Sequence, residues 1–187
     1  SPPDKRRRIL ERNNVKYWVG DRKFYDDSGG VEIFEQALPR VFLVSSARVE
    51  TVANAINLYF DEKFDPLSEV LLVENPADWK KTENFAGAVE QVEYGINRVT
   101  VRTRQNGDAF LTLLDSYQSG WKVEIDGVPG RILRGNYFYR TVQLPPGEHR
   151  VQFDYEPEGY KTGLYVSLGS LAAMFVGGAA LHSRRKK

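Results

Sequence analysis

Nineteen consecutive residues near the C-terminus, Gly163–Leu181 (GLYVSLGSLAAMFVGGAAL), carry no charge, and His182-Ser183-Arg184-Arg185-Lys186-Lys187 follows them directly. Wound as a helix at about 1.5 Å per residue, such a run approaches the roughly 30 Å hydrocarbon core of a bilayer. The alternative is a buried Ala/Gly-rich helix of a soluble domain, but helices of that kind normally keep a polar face. The run therefore predicts a membrane-spanning helix over residues 161–183. By the positive-inside bias, residues 184–187 form a cytoplasmic basic tail and residues 1–160 lie outside a bacterial cytoplasmic membrane. Gly169, Ala173 and Gly177 recur every four residues and stack on one helix face, a stripe that lets helix backbones approach closely in lipid. The expected partners are thus the bilayer and further transmembrane helices of the same, multi-pass protein.

The other end of the chain points the same way. The first residue is Ser1, and Lys5-Arg6-Arg7-Arg8 is followed only by Ile9-Leu10, short of the apolar core a signal peptide needs. The chain reads as a piece of something longer. Its net charge of +1 becomes −3 once the four C-terminal cations are set aside. That balance excludes a nucleic-acid binder acting through bulk charge. The absence of cysteine excludes a disulfide scaffold, a thiolate metal site and a Cys nucleophile.

The exterior part divides in two. Val15–Val19, Val31–Phe34, Arg40–Val44 and Glu69–Val73 are short apolar runs bounded by Gly and Pro, hence strands. Val52, Ala53, Ile56, Tyr59 and Phe60 recur with helical spacing, which predicts an amphipathic helix over 49–60. Residues 1–74 are read as a small α/β exterior subdomain and the polar, aperiodic stretch 75–87 as a linker. Residues 88–160 are read as a β-sandwich. Val99 and Val101 alternate with polar neighbours, as do Trp121, Val123 and Ile125, while Ala109–Leu114 is apolar on both faces like a central strand. The expected fold class is therefore mainly β with an α/β part: a small α/β layer, a β-sandwich and one C-terminal transmembrane helix.

The segment from Leu113 onwards also resembles a known family. Tyr117, Gly120-Trp121, Asp126-Gly127, Asn136, Arg140, Leu144-Pro145, Gly147, His149, Val151, Phe153, Tyr155, Pro157 and Gly163 stand in the order and spacing of the C-terminal part of the YfhO-like bacterial membrane proteins. Upstream, Asn14-Val15-Lys16-Tyr17, Leu38–Val44 and Phe64-Asp65-Pro66 are similar to it as well. One departure is Tyr117-Gln118-Ser119-Gly120-Trp121, where the family usually has Tyr-Tyr-Pro-Gly-Trp.

The resemblance implies a polytopic protein similar to C-type (GT-C-like) membrane glycosyltransferases. Those enzymes take a sugar from a lipid-phosphate donor at the outer face of the membrane, and the YfhO-like family is associated with glycosylation of envelope polymers such as teichoic acids. It also implies that the catalytic carboxylate lies on an exterior loop between early membrane helices, so no catalytic residue is expected in this chain. Sugar recognition combines an aromatic face with planar hydrogen-bonding groups. Tyr117, Trp121, Asp126, Asn136 and Arg140 can supply such a substrate-binding set if their turns and strands converge. Each also has a purely structural reading: Trp121 as a core aromatic, Asp126-Gly127 as a turn, Asn136 as a partner of backbone groups, Arg140 as a solvated or ion-paired residue. His149 stands without another His or any Cys at ligand spacing, so no metal is expected, and no phosphate loop or other cofactor motif is present. The expected role is to assist substrate binding or site architecture, with contact to a lipid-linked sugar or envelope glycopolymer. The rival is a membrane-anchored, non-catalytic carbohydrate-binding or interaction module.

Overall fold

A computed structural model describes residues 3–19 and 31–185 of the chain, with side chains over 5–19 and 31–176. In chain order the elements are α1 (Pro3–Arg12), β1 (Tyr17–Val19), β2 (Val31–Ile33), β3 (Val41–Val44), β4 (Ala47–Val49), α2 (Val52–Tyr59) and β5 (Val70–Leu72). There follow β6 (Gly87–Tyr94), β7 (Arg98–Gln105), β8 (Ala109–Ser116), β9 (Trp121–Ile125), β10 (Val128–Pro129) and β11 (Leu133–Gly135). Then come β12 (Tyr139–Leu144), β13 (Gly147–Tyr155) and α3 (Tyr160–Arg185).

Two sheets face each other, one in the order β10-β9-β13-β7-β6 and the other β3-β8-β12-β11-β5-β4. Strand alternation places Val99, Val101, Val123, Val151 and Phe153 of the first against Val41, Leu111, Leu113, Val142 and Leu144 of the second, and these form one buried cluster. The opposite face of the six-stranded sheet carries a second cluster. There Phe42, Phe110, Leu133 and Tyr139 pack with Ala55 and Tyr59 of α2. β8 is buried on both faces because it is central between β3 and β12, as its unbroken apolar run predicts.

The expected fold class needs two corrections. The α/β part does not form a layer of its own. β3 pairs with β8 (Val41↔Leu113) and β5 with β11 (Leu72↔Gly135), so this segment completes the second sheet of the sandwich. β4 and β5 run parallel, joined by α2, and α2 covers the outer face. Thr51 caps that helix by accepting from the Asn54 amide at 3.3 Å. The guanidinium of Arg12 closes its far end, donating to the carbonyls of Tyr59, Asp61 and Phe64 and tethering α1.

The second correction concerns the C-terminus. Among the described residues no helix is long and apolar enough to cross a membrane, so the expected spanning segment is not supported. The physical reason is that lack of charge is not apolarity. Within the described side chains of α3, Lys161, Thr162, Tyr165, Ser167 and Ser170 interrupt the aliphatic residues, and Gly163 and Gly169 add no apolar surface. A Cβ placed on Gly169 would meet nothing within 4 Å outside its own helix turn. Gly177 and the basic tail 184–187 lie outside the described side chains, as do the turns expected at residues 20–21 and 29–30.

Candidate functional site

Trp121 opens β9 opposite Tyr155 of β13, their ring centroids 5.1 Å apart. Arg140 lies on the inward face of β12 with Val142 and Leu144, and its Cζ sits 3.7 Å from the centroid of the Trp121 ring. Its Nη2 donates to Asp115 Oδ2 at 2.9 Å, and Asp115 Oδ1 accepts from Arg40 Nε at 2.9 Å. Arg40 in turn lies 4.4 Å over the ring of Tyr94. A continuous stack thus crosses this end of the sandwich, from Tyr94 through Arg40, Asp115, Arg140 and Trp121 to Tyr155.

Arg140 is the anchor of that stack. It is only 1% exposed, and its Nε and Nη1 have no hydrogen-bond partner. The electron-rich face of Trp121 stands where an acceptor would otherwise be needed. Burial pushes the guanidinium down to about 10, with Asp115 opposing that shift, so it keeps its charge at neutral pH. Trp121 is therefore held by a cation on its ring rather than by apolar packing alone.

A cleft of about 410 Å³ opens between the turn before β9 and the segment 129–132, with Tyr117, Ser119, Trp121, Lys122 and Arg131 among its walls. A neighbouring cleft of about 430 Å³ shares Trp121 and Lys122 and reaches Glu156 and Lys161. Lys122 and Lys161 both donate to Glu156 and hold its carboxyl at about 2. Gly120 shapes the turn between the two. Its φ is +91°, and a Cβ there would lie 3.1 Å from the Glu156 carbonyl and from the Tyr155 ring.

The five residues expected to converge do so only in part. Tyr117 and Trp121 share the cleft, and Arg140 supports Trp121 from within. Asn136 is fully buried against β5: its Oδ1 accepts from the Leu71 amide at 2.9 Å and its backbone amide donates to the Leu71 carbonyl at 2.7 Å. Asp126 lies at the other end of the sandwich in a left-handed Asp-Gly turn, φ +53° and +82°. Its carboxylate accepts from the Arg150 amide at 2.8 Å and lies 2.6 Å from His149 Nδ1, while His149 Nε2 lies 3.1 Å from the Pro145 carbonyl. His149 straps two turns together rather than facing solvent alone.

Residues missing from the expected set are Lys122 and Arg131 in the cleft wall and the Arg40–Asp115 pair behind it. Asp115 left a trace in the sequence, since it follows the apolar run of β8, where its carboxylate requires a partner.

The Arg150 amide, then His149, lower the carboxyl of Asp126 below its ordinary 3.8. A depressed carboxylate stabilises the fold above its unfolded value and loses that contribution as pH falls through the folded one. The difference in melting temperature between wild type and Asp126→Asn should therefore be present at pH 7 and shrink below pH 3.8. Thermal melts followed by circular dichroism check this.

Fold and cleft together define a mainly-β module with a ligand-sized, aromatic and cation-lined opening at one end. Residues 80–167, from just before β6 into α3, match the family described as "Bacterial membrane protein YfhO". Over that stretch, a little under half of its length, the chain is similar to the bacterial YfhO membrane-protein family. It is also 25% identical over 105 residues to the "Uncharacterized protein YfhO" of Bacillus subtilis, an alignment covering 56% of this chain and 12% of the relative. The chain thus spans a small fraction of that relative's length. No solved structure matches.

Proposed function

We propose that this module is a non-catalytic, glycan-contacting part of a membrane glycosyltransferase that uses a lipid-linked sugar to modify envelope polymers. The observation that carries the reading is the cleft beside Trp121, where an exposed Tyr117 ring, a Trp121 ring braced by Arg140, and the donors Lys122 and Arg131 surround about 410 Å³. Aromatic faces suit the C–H faces of a pyranose, and a few fixed donors suit its hydroxyls. That volume matches one or two sugar rings rather than a polymer lying along a groove. Catalysis is assigned to parts of the larger protein beyond this chain.

A glycan array of envelope saccharides, probed with the full 187-residue chain, tests the reading. Selective binding is expected, weakened roughly ten-fold in Tyr117→Ala, whose ring lies at the surface and is not needed for the core. Binding by wild type and Tyr117→Ala at equal strength, or none above background, rejects it. Sugar transfer by this chain alone would remove the non-catalytic assignment.

A further inference from the structure

The two ends of the sandwich differ in character. At one end, the turns between strands carry Asn106, Asp108, Asp126, Pro145 and Pro146, with Val128 the exposed apolar side chain. At the other end three chain segments are tied together. The Tyr155 amide donates to the Asn97 carbonyl at 2.8 Å, joining β13 to the tip of the β6–β7 hairpin. The Glu156 amide donates to the Gly120 carbonyl at 2.7 Å, joining the link to α3 to the Tyr117–Gly120 turn. These segments present Tyr94, Ile96, Tyr117 and Tyr160 as exposed apolar or aromatic side chains.

Ile96 is the most telling of them. It is fully exposed, 101%, on a hairpin tip whose Gly95 amide already bonds to the Arg98 carbonyl, so the turn closes without any packing from Ile96. An aliphatic tip residue with no structural duty leaves apolar surface in water unless something covers it. The cover is indicated by what surrounds it. Tyr and Trp side chains, whose rings are apolar and whose tips are wet, ring the same end, and Lys122 and Lys161 share the single carboxylate of Glu156 beside them. An apolar tip and an aromatic collar, with Lys122 and Lys161 beside Glu156 and Glu158, suit a lipid headgroup layer, and residues 80–167 match a family of membrane proteins.

We propose that this end of the sandwich rests on a bilayer surface, with Ile96 inserted below the headgroups and Tyr94, Tyr117 and Tyr160 at their level. Such contact does not depend on glycan binding, although it would place the Trp121 cleft beside the plane in which a lipid-linked sugar lies. Nor does it depend on how α3 is disposed.

The chain contains no cysteine, so single thiols report cleanly. Ile96→Cys and Val128→Cys carry nitroxide labels at exposed positions of opposite ends. The full chain is bound to vesicles of phosphatidylethanolamine and phosphatidylglycerol. Accessibility to oxygen relative to a water-soluble nickel chelate should be several-fold higher at position 96 than at 128. Equal ratios at the two labels, a deeper label at 128, or no binding to the vesicles overturns the proposal. Because the readout is depth rather than affinity, attachment through α3 alone would appear as equal ratios. Loss of glycan binding in Tyr117→Ala is a separate measurement and fails independently.

Discussion

Asp115→Asn should cost about 3 kcal/mol of folding stability, read as a lower urea midpoint at unchanged slope, because it strands a buried cation. Arg140 is 1% exposed and has one hydrogen-bonded acceptor, the carboxylate of Asp115 at 2.9 Å. With the acid neutralised, the guanidinium remains inside the sandwich with two unpartnered nitrogens already present and a third weakened. Arg140→Met removes the cation itself and fills a similar volume with apolar atoms. Asp115 then keeps its bond to Arg40 nearer the surface. That variant should cost about 1 kcal/mol or less, the lost contact with the Trp121 ring offset by relief of a desolvated charge. The double variant should resemble Arg140→Met rather than the sum of the singles. A loss in Arg140→Met as large as in Asp115→Asn would show that the guanidinium stabilises the fold in its own right. Asp115 would then not be the group that makes its burial tolerable.

The same residue shows how far a sequence alone can be read. Over 98–155 the alternation is visible: Val99 and Val101, Trp121, Val123 and Ile125, and Val151 and Phe153 all face the inner cluster as their period of two requires. Arg140 stands on that same face, two residues before Val142 and four before Leu144. A cation on an apolar face is a signal of a buried pair, but its meaning depends on Asp115 and Trp121, which only strand pairing brings to it. Register across strands is likewise a non-local fact. The β4–α2–β5 unit has the same local pattern whether it makes its own layer or extends the edge of another sheet. The pairings Leu72↔Gly135 and Val41↔Leu113 decide the matter. β6 is hidden for a related reason. As an edge strand with a register shift between Val89 and Gln91, it lacks the clean alternation that marks its neighbour β7. In α3 the misleading signal is the absence of charge, which hydroxyl-bearing and glycine residues share with aliphatic ones. Asp126 and Asn136, read as members of one binding set, belong to turns whose left-handed backbone is legible at Asp126-Gly127 and invisible at Asn136-Tyr137.

That second turn carries the other large expected effect. Asn136 and Tyr137 follow one another with φ of +46° and +67° between β11 and β12, and Asn136 is fully buried. Asn tolerates this region better than other residues with a Cβ, and here its side chain also completes the sheet. Its Oδ1 takes the Leu71 amide at 2.9 Å where a neighbouring strand would otherwise present a carbonyl. Asn136→Ala removes that acceptor, leaving a buried amide unsatisfied, and puts alanine in a strained conformation. The two costs together amount to about 3 kcal/mol, reduced somewhat because the unpartnered Nδ2 of Asn136 disappears with the side chain. Asn136→Gly separates the two contributions, since glycine adopts the same backbone freely and loses only the acceptor, so it should cost about 1 kcal/mol less than alanine. Hydrogen exchange gives the local readout: the Leu71 amide should exchange faster in both variants relative to amides of β8, which keep their partners. Protection of Leu71 unchanged in Asn136→Gly would mean that water or a shifted carbonyl replaces Oδ1. In that case the side chain would be dispensable and the left-handed backbone alone would explain the asparagine.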